Sequence, residues 1–179
     1  PFEEAVAAHP AEPLADQPRG ETMLYSSGTT GRPKGIKRPL SGFQIDDPAG
    51  AGGVVALLTG LFSVTADSVY LSPAPLYHSA PLGFTTSLQA IGGTAVVMER
   101  FDPANALRFI EQYRISHSQW VPTMFVRLFK LPPEVRDRYD LSSHRLALHA
   151  AAPCPVPVKE QIIGWWGPIV HEHYSSTEA

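Results

Sequence analysis

Short apolar runs alternate with helix-length segments over most of this chain, and proline, glycine or aspartate marks nearly every boundary. This alternation limits the fold more than any other feature. Residues 94–98 form an apolar run behind Gly92-Gly93, the pattern of a buried strand. Asp102-Pro103 then supplies an N-cap and a proline at the first helical position. The helix that follows is expected to carry Ala106, Phe109, Ile110 and Tyr113 on one face. Residues 116–121 read as the next strand, and Pro122 opens a helix through Phe125, Leu128 and Phe129. Residues 146–150 read as a third strand. A helix through Val158, Ile162, Trp165 and Trp166 is closed by Gly167-Pro168, and residues 169–174 form the last strand. Strands that alternate with helices require crossover connections, so the fold class is α/β with a largely parallel sheet. Ligands of such sheets bind beyond the carboxyl ends of the strands. Residues 150–153 and 174–178 fall there.

The run YSSGTTGRPKG, Tyr25 to Gly35, follows a further predicted strand at residues 21–26. It places three glycines, four serine and threonine hydroxyls and two cations in eleven residues. Glycine lets the backbone take positive φ and approach a ligand closely. Successive N–H groups can then form an anion site that hydroxyls and a lysine complete, and a triphosphate is the natural guest. A Walker loop is excluded, because Lys34 follows Pro33 and precedes Gly35 instead of standing before Ser or Thr. A flexible Gly/Ser linker is the alternative, although a linker does not need a Pro-Lys-Gly ending behind an apolar strand.

Net charge is −3 over 179 residues, so the molecule as a whole has no pull toward nucleic acid. Arg32, Lys34, Lys37 and Arg38 are a local exception, which a nucleotide's own phosphates explain most simply. The lone Cys154 excludes an internal disulfide and reads as an inert thiol in the turn after the third strand. Residues 49–66 carry no charge but are too diluted by glycine for a transmembrane segment, so a buried helix is expected there. No signal peptide is visible, and a cytoplasmic location is expected. His171 and His173 are two apart on a strand and face the same way, half of a metal site without an obvious third ligand.

Three stretches in order, YSSGTTGRPKG, SPAPLYHSAP (Ser72 to Pro81) and HYSSTEA (His173 to Ala179), resemble the motifs of the adenylate-forming superfamily, in its acyl-CoA synthetase branch. The resemblance implies ATP-dependent activation of a carboxylic acid to an acyl-adenylate and then to acyl-CoA, with ATP, Mg²⁺ and coenzyme A as cofactors. It also implies that the chain is a partial AMP-binding domain. The upstream portion and the C-terminal lid domain, with its lysine, lie outside residues 1–179.

By the same resemblance, Ser26, Ser27, Gly28, Thr29, Thr30, Gly31 and Lys34 would hold the β- and γ-phosphates. Thr177 would bond the α-phosphate and Glu178 would ligate Mg²⁺, although Ser175–Glu178 also suits a helix N-cap with a first-turn acid. Tyr174 would stack on adenine, or else sit in the core at a strand end. Ala151, Ala152 and Pro153 would let the purine lie against backbone, and Glu172 would accept from its amino group. His78 would lie beside the carboxylate and acyl pocket, and residues 81–91, rich in small and apolar types, would line part of that pocket. His149-Ala150 replaces the usual Ser-Gly, and Glu172-His173 the usual Gln-Gly. Two rivals stay open: an amino-acid adenylation domain, and a truncated module that only binds nucleotide. The sequence does not set the oligomeric state.

Overall fold

The computed structural model describes residues 1–26, 31–175 of the chain, in two compact units, residues 1–51 and 52–179. In the first unit, α1 (Phe2–Ala7) precedes an antiparallel hairpin of β1 (Leu24–Ser26) and β2 (Lys34–Ile36). Asp47 caps a 3₁₀ turn at Pro48–Gly50 by accepting from the Ala49 N–H at 2.9 Å. The predicted strand at 21–26 is thus real but shorter. Its partner β2 hides in sequence behind Pro33 and Gly35.

The second unit starts with α2 (Gly52–Gly60) and builds a five-stranded parallel sheet. In chain order its elements are β3 (Val69–Ser72), α3 (Ser79–Ile91), β4 (Thr94–Val97), α4 (Pro103–Gln112), β5 (His117–Trp120), α5 (Pro122–Phe129), α6 (Pro133–Arg136), β6 (Leu146–His149), α7 (Val156–Trp166) and β7 (Val170–Glu172). The strand order is β4-β3-β5-β6-β7, with every neighbouring pair parallel. The α/β class and the parallel sheet are therefore as the alternation requires.

Alternate residues of β3 and β6 feed two cores, as a pleat buried on both faces demands. Leu71, Ala147 and Trp120 join Leu107, Ile110, Phe125, Leu128 and Ile162 from α4, α5 and α7. Tyr70, Leu146 and Leu148 join Leu58, Phe84 and Leu88 from α2 and α3. Each full core residue contributes roughly 1.5–3 kcal/mol of transfer free energy. The punctuation acts as predicted. The Asp102 carboxylate accepts from the Asn105 N–H at 2.8 Å, and Gly167 closes α7 at φ 81° with its N–H donating to Ile163 O.

Two expectations need correction. The apolar stretch at 49–66 forms a helix only over Gly52–Gly60, and it is not buried: Leu58 is its one buried residue. On α4 the buried residues are Ala106, Leu107 and Ile110, whereas Tyr113 lies past the helix end and is exposed. Residues 81–91 belong to α3, which buries Pro81, Phe84, Thr85 and Leu88. Among the described residues, no helix is long and apolar enough to cross a membrane.

Candidate nucleotide-binding site

In the first unit the hairpin register sets Ser26 opposite Lys34 and Tyr25 opposite Gly35, so the two ends of the glycine-rich run are brought side by side. Gly31 takes φ +81°, a conformation that L side chains rarely adopt. A Cβ at Gly35 would displace Met23 Cε, the end of a flexible exposed side chain, and crowd the Tyr25 ring. Arg32, Lys34 and Lys37 are exposed. Ser27, Gly28, Thr29 and Thr30 lie outside the described residues, as do Thr177 and Glu178.

The carboxyl edge of the second unit's sheet carries the other predicted residues. Beyond β3, the loop reaches His78, whose extended backbone (φ −83°, ψ 145°) starts α3. The His78 ring lies 4.5 Å from that of Tyr77, and both are exposed. Beyond β6, Ala151 takes φ +75°, and Ala151, Ala152 and Pro153 are all exposed. A non-glycine residue there stores strain on the order of 1–2 kcal/mol, which a turn imposed by its surroundings can hold. The ladder carries on past the strand ends: Ala150 N–H donates to Trp120 O at 3.2 Å, and His173 N–H to His149 O at 2.9 Å. The Ala-Ala-Pro turn and the segment from Glu172 to Tyr174 are thereby neighbours. Tyr174 is 95% exposed, so the core alternative for this ring is excluded.

His149 and Glu172 are register partners across β6 and β7. His149 is fully buried, edge-on to Phe125 at 5.7 Å, and neither ring nitrogen has a hydrogen-bond partner. Its Nε2 lies 3.9 Å from Glu172 Oε2, while Lys159 Nζ donates to the same oxygen at 2.5 Å. Burial pushes the His149 imidazole below its ordinary value, and the lysine hydrogen bond lowers the Glu172 carboxyl. Burial raises the Cys154 thiol, in keeping with an unreactive cysteine. Lys159 escaped the sequence reading, because only the docking of α7 against β7 brings it to Glu172. The paired departures at 149 and 172 were the one available signal. His171 instead turns its ring toward Phe62, 5.9 Å away, and no cluster of three metal-ligating side chains occurs among the described residues.

This edge can supply backbone polar groups, an exposed aromatic face and a carboxylate acceptor. The hairpin can supply cations and glycine backbone. The profile of the AMP-binding enzyme family matches residues 3–179. A medium/long-chain-fatty-acid–CoA ligase of Mycobacterium tuberculosis is 31% identical over 97% of this chain, and a 4-coumarate–CoA ligase of Narcissus pseudonarcissus is 34% identical over 73%. The chain spans 29% and 23% of the length of those two relatives. The ATP-bound structure of MatB from Rhodopseudomonas palustris superposes with a TM-score of 0.66 at 27% identity, over 87% of this chain and 29% of that one. The N-terminal domain of FACL13 from Mycobacterium tuberculosis shares the fold with a TM-score of 0.75, over 99% of this chain and 42% of its own.

Proposed function

The chain belongs to the AMP-binding enzyme family, and from that premise we propose that it is the nucleotide-binding part of an AMP-forming acid–thiol ligase. The reaction joins a carboxylic acid to ATP as an acyl-adenylate with release of pyrophosphate, and then passes the acyl group to the thiol of coenzyme A with release of AMP and the thiol proton. The observation that carries this reading is the hairpin register, which sets Ser26 opposite Lys34 at the two ends of the glycine- and hydroxyl-rich sequence run.

The nucleophile is a carboxylate, already ionised at neutral pH, so the protein need not remove a proton. Its tasks are to align the acid with the α-phosphorus and to offset charge on the departing pyrophosphate. Lys34 and the loop hydroxyls and N–H groups from Ser26 to Gly31 take the second task. Thr177 donates to the α-phosphate. Glu178 offers carboxylate oxygen, a donor that suits Mg²⁺ bound together with phosphate oxygens. When bound there, Mg²⁺ supplies electrostatic stabilisation of the phosphates. Tyr174 provides an adenine face, the Ala151–Pro153 turn its backbone edge, and Glu172 an acceptor for the amino group. His78, at the start of α3, stands on the side of the acid.

An apolar acyl or aryl acid fits best. The segment Tyr77-His78-Ser79 has no carboxylate to pair with the ammonium of an amino acid, and α3 beyond it is rich in small and apolar residues. The test is acid-dependent ATP–pyrophosphate exchange by the full-length protein. Fatty or aryl acids should stimulate exchange and amino acids should not; the reverse pattern would move the protein to the adenylation-domain class.

A further inference from the structure

Glu172 ends β7 with its carboxylate bonded by a lysine and flanked by a histidine ring. Lys159, on the second turn of α7, donates to Oε2 at 2.5 Å, and the buried His149 ring stands 3.9 Å behind the same oxygen. His149 is itself fixed by Phe125 and by the strand register. The lysine therefore holds the carboxylate beside a packed ring. Both nitrogen groups address Oε2, which leaves the lone pairs of Oε1 for another donor. Glu172 remains partly open to solvent, with its side chain 41% exposed, and the exposed Tyr174 ring follows two residues later.

We propose that Lys159 is a positioning residue that fixes Glu172 as the base-reading acceptor of the nucleotide site, so that the site takes a 6-amino purine and rejects a 6-oxo purine. The proposal rests on the reading of Glu172 and Tyr174 as the adenine wall. An ionised carboxylate accepts hydrogen bonds and cannot donate. The amino group of adenine satisfies it. The 6-oxo group of hypoxanthine sets acceptor against acceptor and leaves both unpaired, the situation in which a polar site discriminates most strongly. Lys159 contributes in two ways. It removes rotamer freedom from Glu172, and its hydrogen bond keeps the carboxyl ionised to lower pH. The other titratable groups facing this carboxylate are His149 from β6 and Cys154 from the turn before α7.

The experiment compares ATP with inosine triphosphate in the exchange reaction of the full-length enzyme, for wild type, Lys159→Met, Lys159→Arg and Glu172→Ala. Methionine retains much of the lysine stem, so packing is largely kept. Wild type should favour ATP by more than about tenfold, the scale of one charge-assisted hydrogen bond. Lys159→Met should lower that preference and move the acid limb of kcat/KM for ATP to higher pH, and Lys159→Arg should restore both. A Lys159→Met enzyme with wild-type preference and an unmoved acid limb overturns the role of Lys159. If Glu172→Ala also leaves ATP use and preference unchanged, the adenine-wall reading falls with it; a silent Lys159→Met beside an impaired Glu172→Ala refutes the lysine alone.

Discussion

Acidification should destabilise the sheet-bearing unit through its buried histidines, and His144 sets the scale. Its ring is 5% exposed, with Nε2 at 2.6 Å from Ser118 Oγ, which also accepts from Trp120 Nε1 at 2.6 Å. Burial lowers its pKa from 6.5 to about 3. The folded value lies below the unfolded one, so the unfolded chain takes up the proton first. The stability contribution is complete above pH 6.5 and is lost as pH falls toward 3. Each pH unit inside that window costs about 1.4 kcal/mol, so the step from pH 7 to pH 5 costs about 2 kcal/mol for this one residue. Burial shifts His117 and His149 in the same direction, which adds to the loss. Asp140 and Glu172 have lowered pKa values and titrate below this range, so the interval isolates histidine. Urea unfolding at both pH values can be followed by tryptophan fluorescence, since Trp120, Trp165 and Trp166 all lie in the unit. His144→Gln keeps a polar atom near Nε2 but cannot take up a proton in this range. Wild type should lose about 2 kcal/mol more than the variant between pH 7 and 5. Equal losses would refute the burial argument.

Gly93→Ala should overpack the junction of α3 and β4, because the new Cβ would lie 2.6 Å from Leu88 Cδ1 and 3.0 Å from Ser68 O. A cost of about 1–3 kcal/mol is expected, read as a lower urea midpoint at unchanged slope. Asp102→Ala removes the cap on Asn105 N–H and should cost about 1 kcal/mol in the same assay, while Asp102→Asn should recover most of it.

Elements with chemical punctuation were legible from sequence. Asp102-Pro103, Pro122 and Gly167 mark α4, α5 and α7 because caps and fixed φ values act locally. The strand β3 and helix α3 were harder, since prolines obscure the stretch from Ser72 to Pro81. Pro81 is the third residue of α3, where no intrahelical N–H bond is lost. The strand β2 has only three residues and exists because it pairs with β1. The apolar stretch from Val54 to Val64 carries no periodic signal that separates a fully buried helix from a half-covered one. In the site, residue types could be read, but partners could not. Glu172 drew attention as a departure from pattern, whereas Lys159, thirteen positions earlier, is its neighbour only through tertiary packing.

Acid-dependent ATP–pyrophosphate exchange with Lys34→Ala and Glu178→Ala in the full-length enzyme tests the central claim most directly. Lys34 is assigned to the leaving pyrophosphate and Glu178 to the metal-bound phosphates, where single charge-stabilising groups are worth about a hundredfold or more in rate. Each variant, folded and still melting like wild type, should lose exchange on that scale. Wild-type exchange in both would contradict the assignment of this chain as the phosphate-holding part of an acid-activating enzyme.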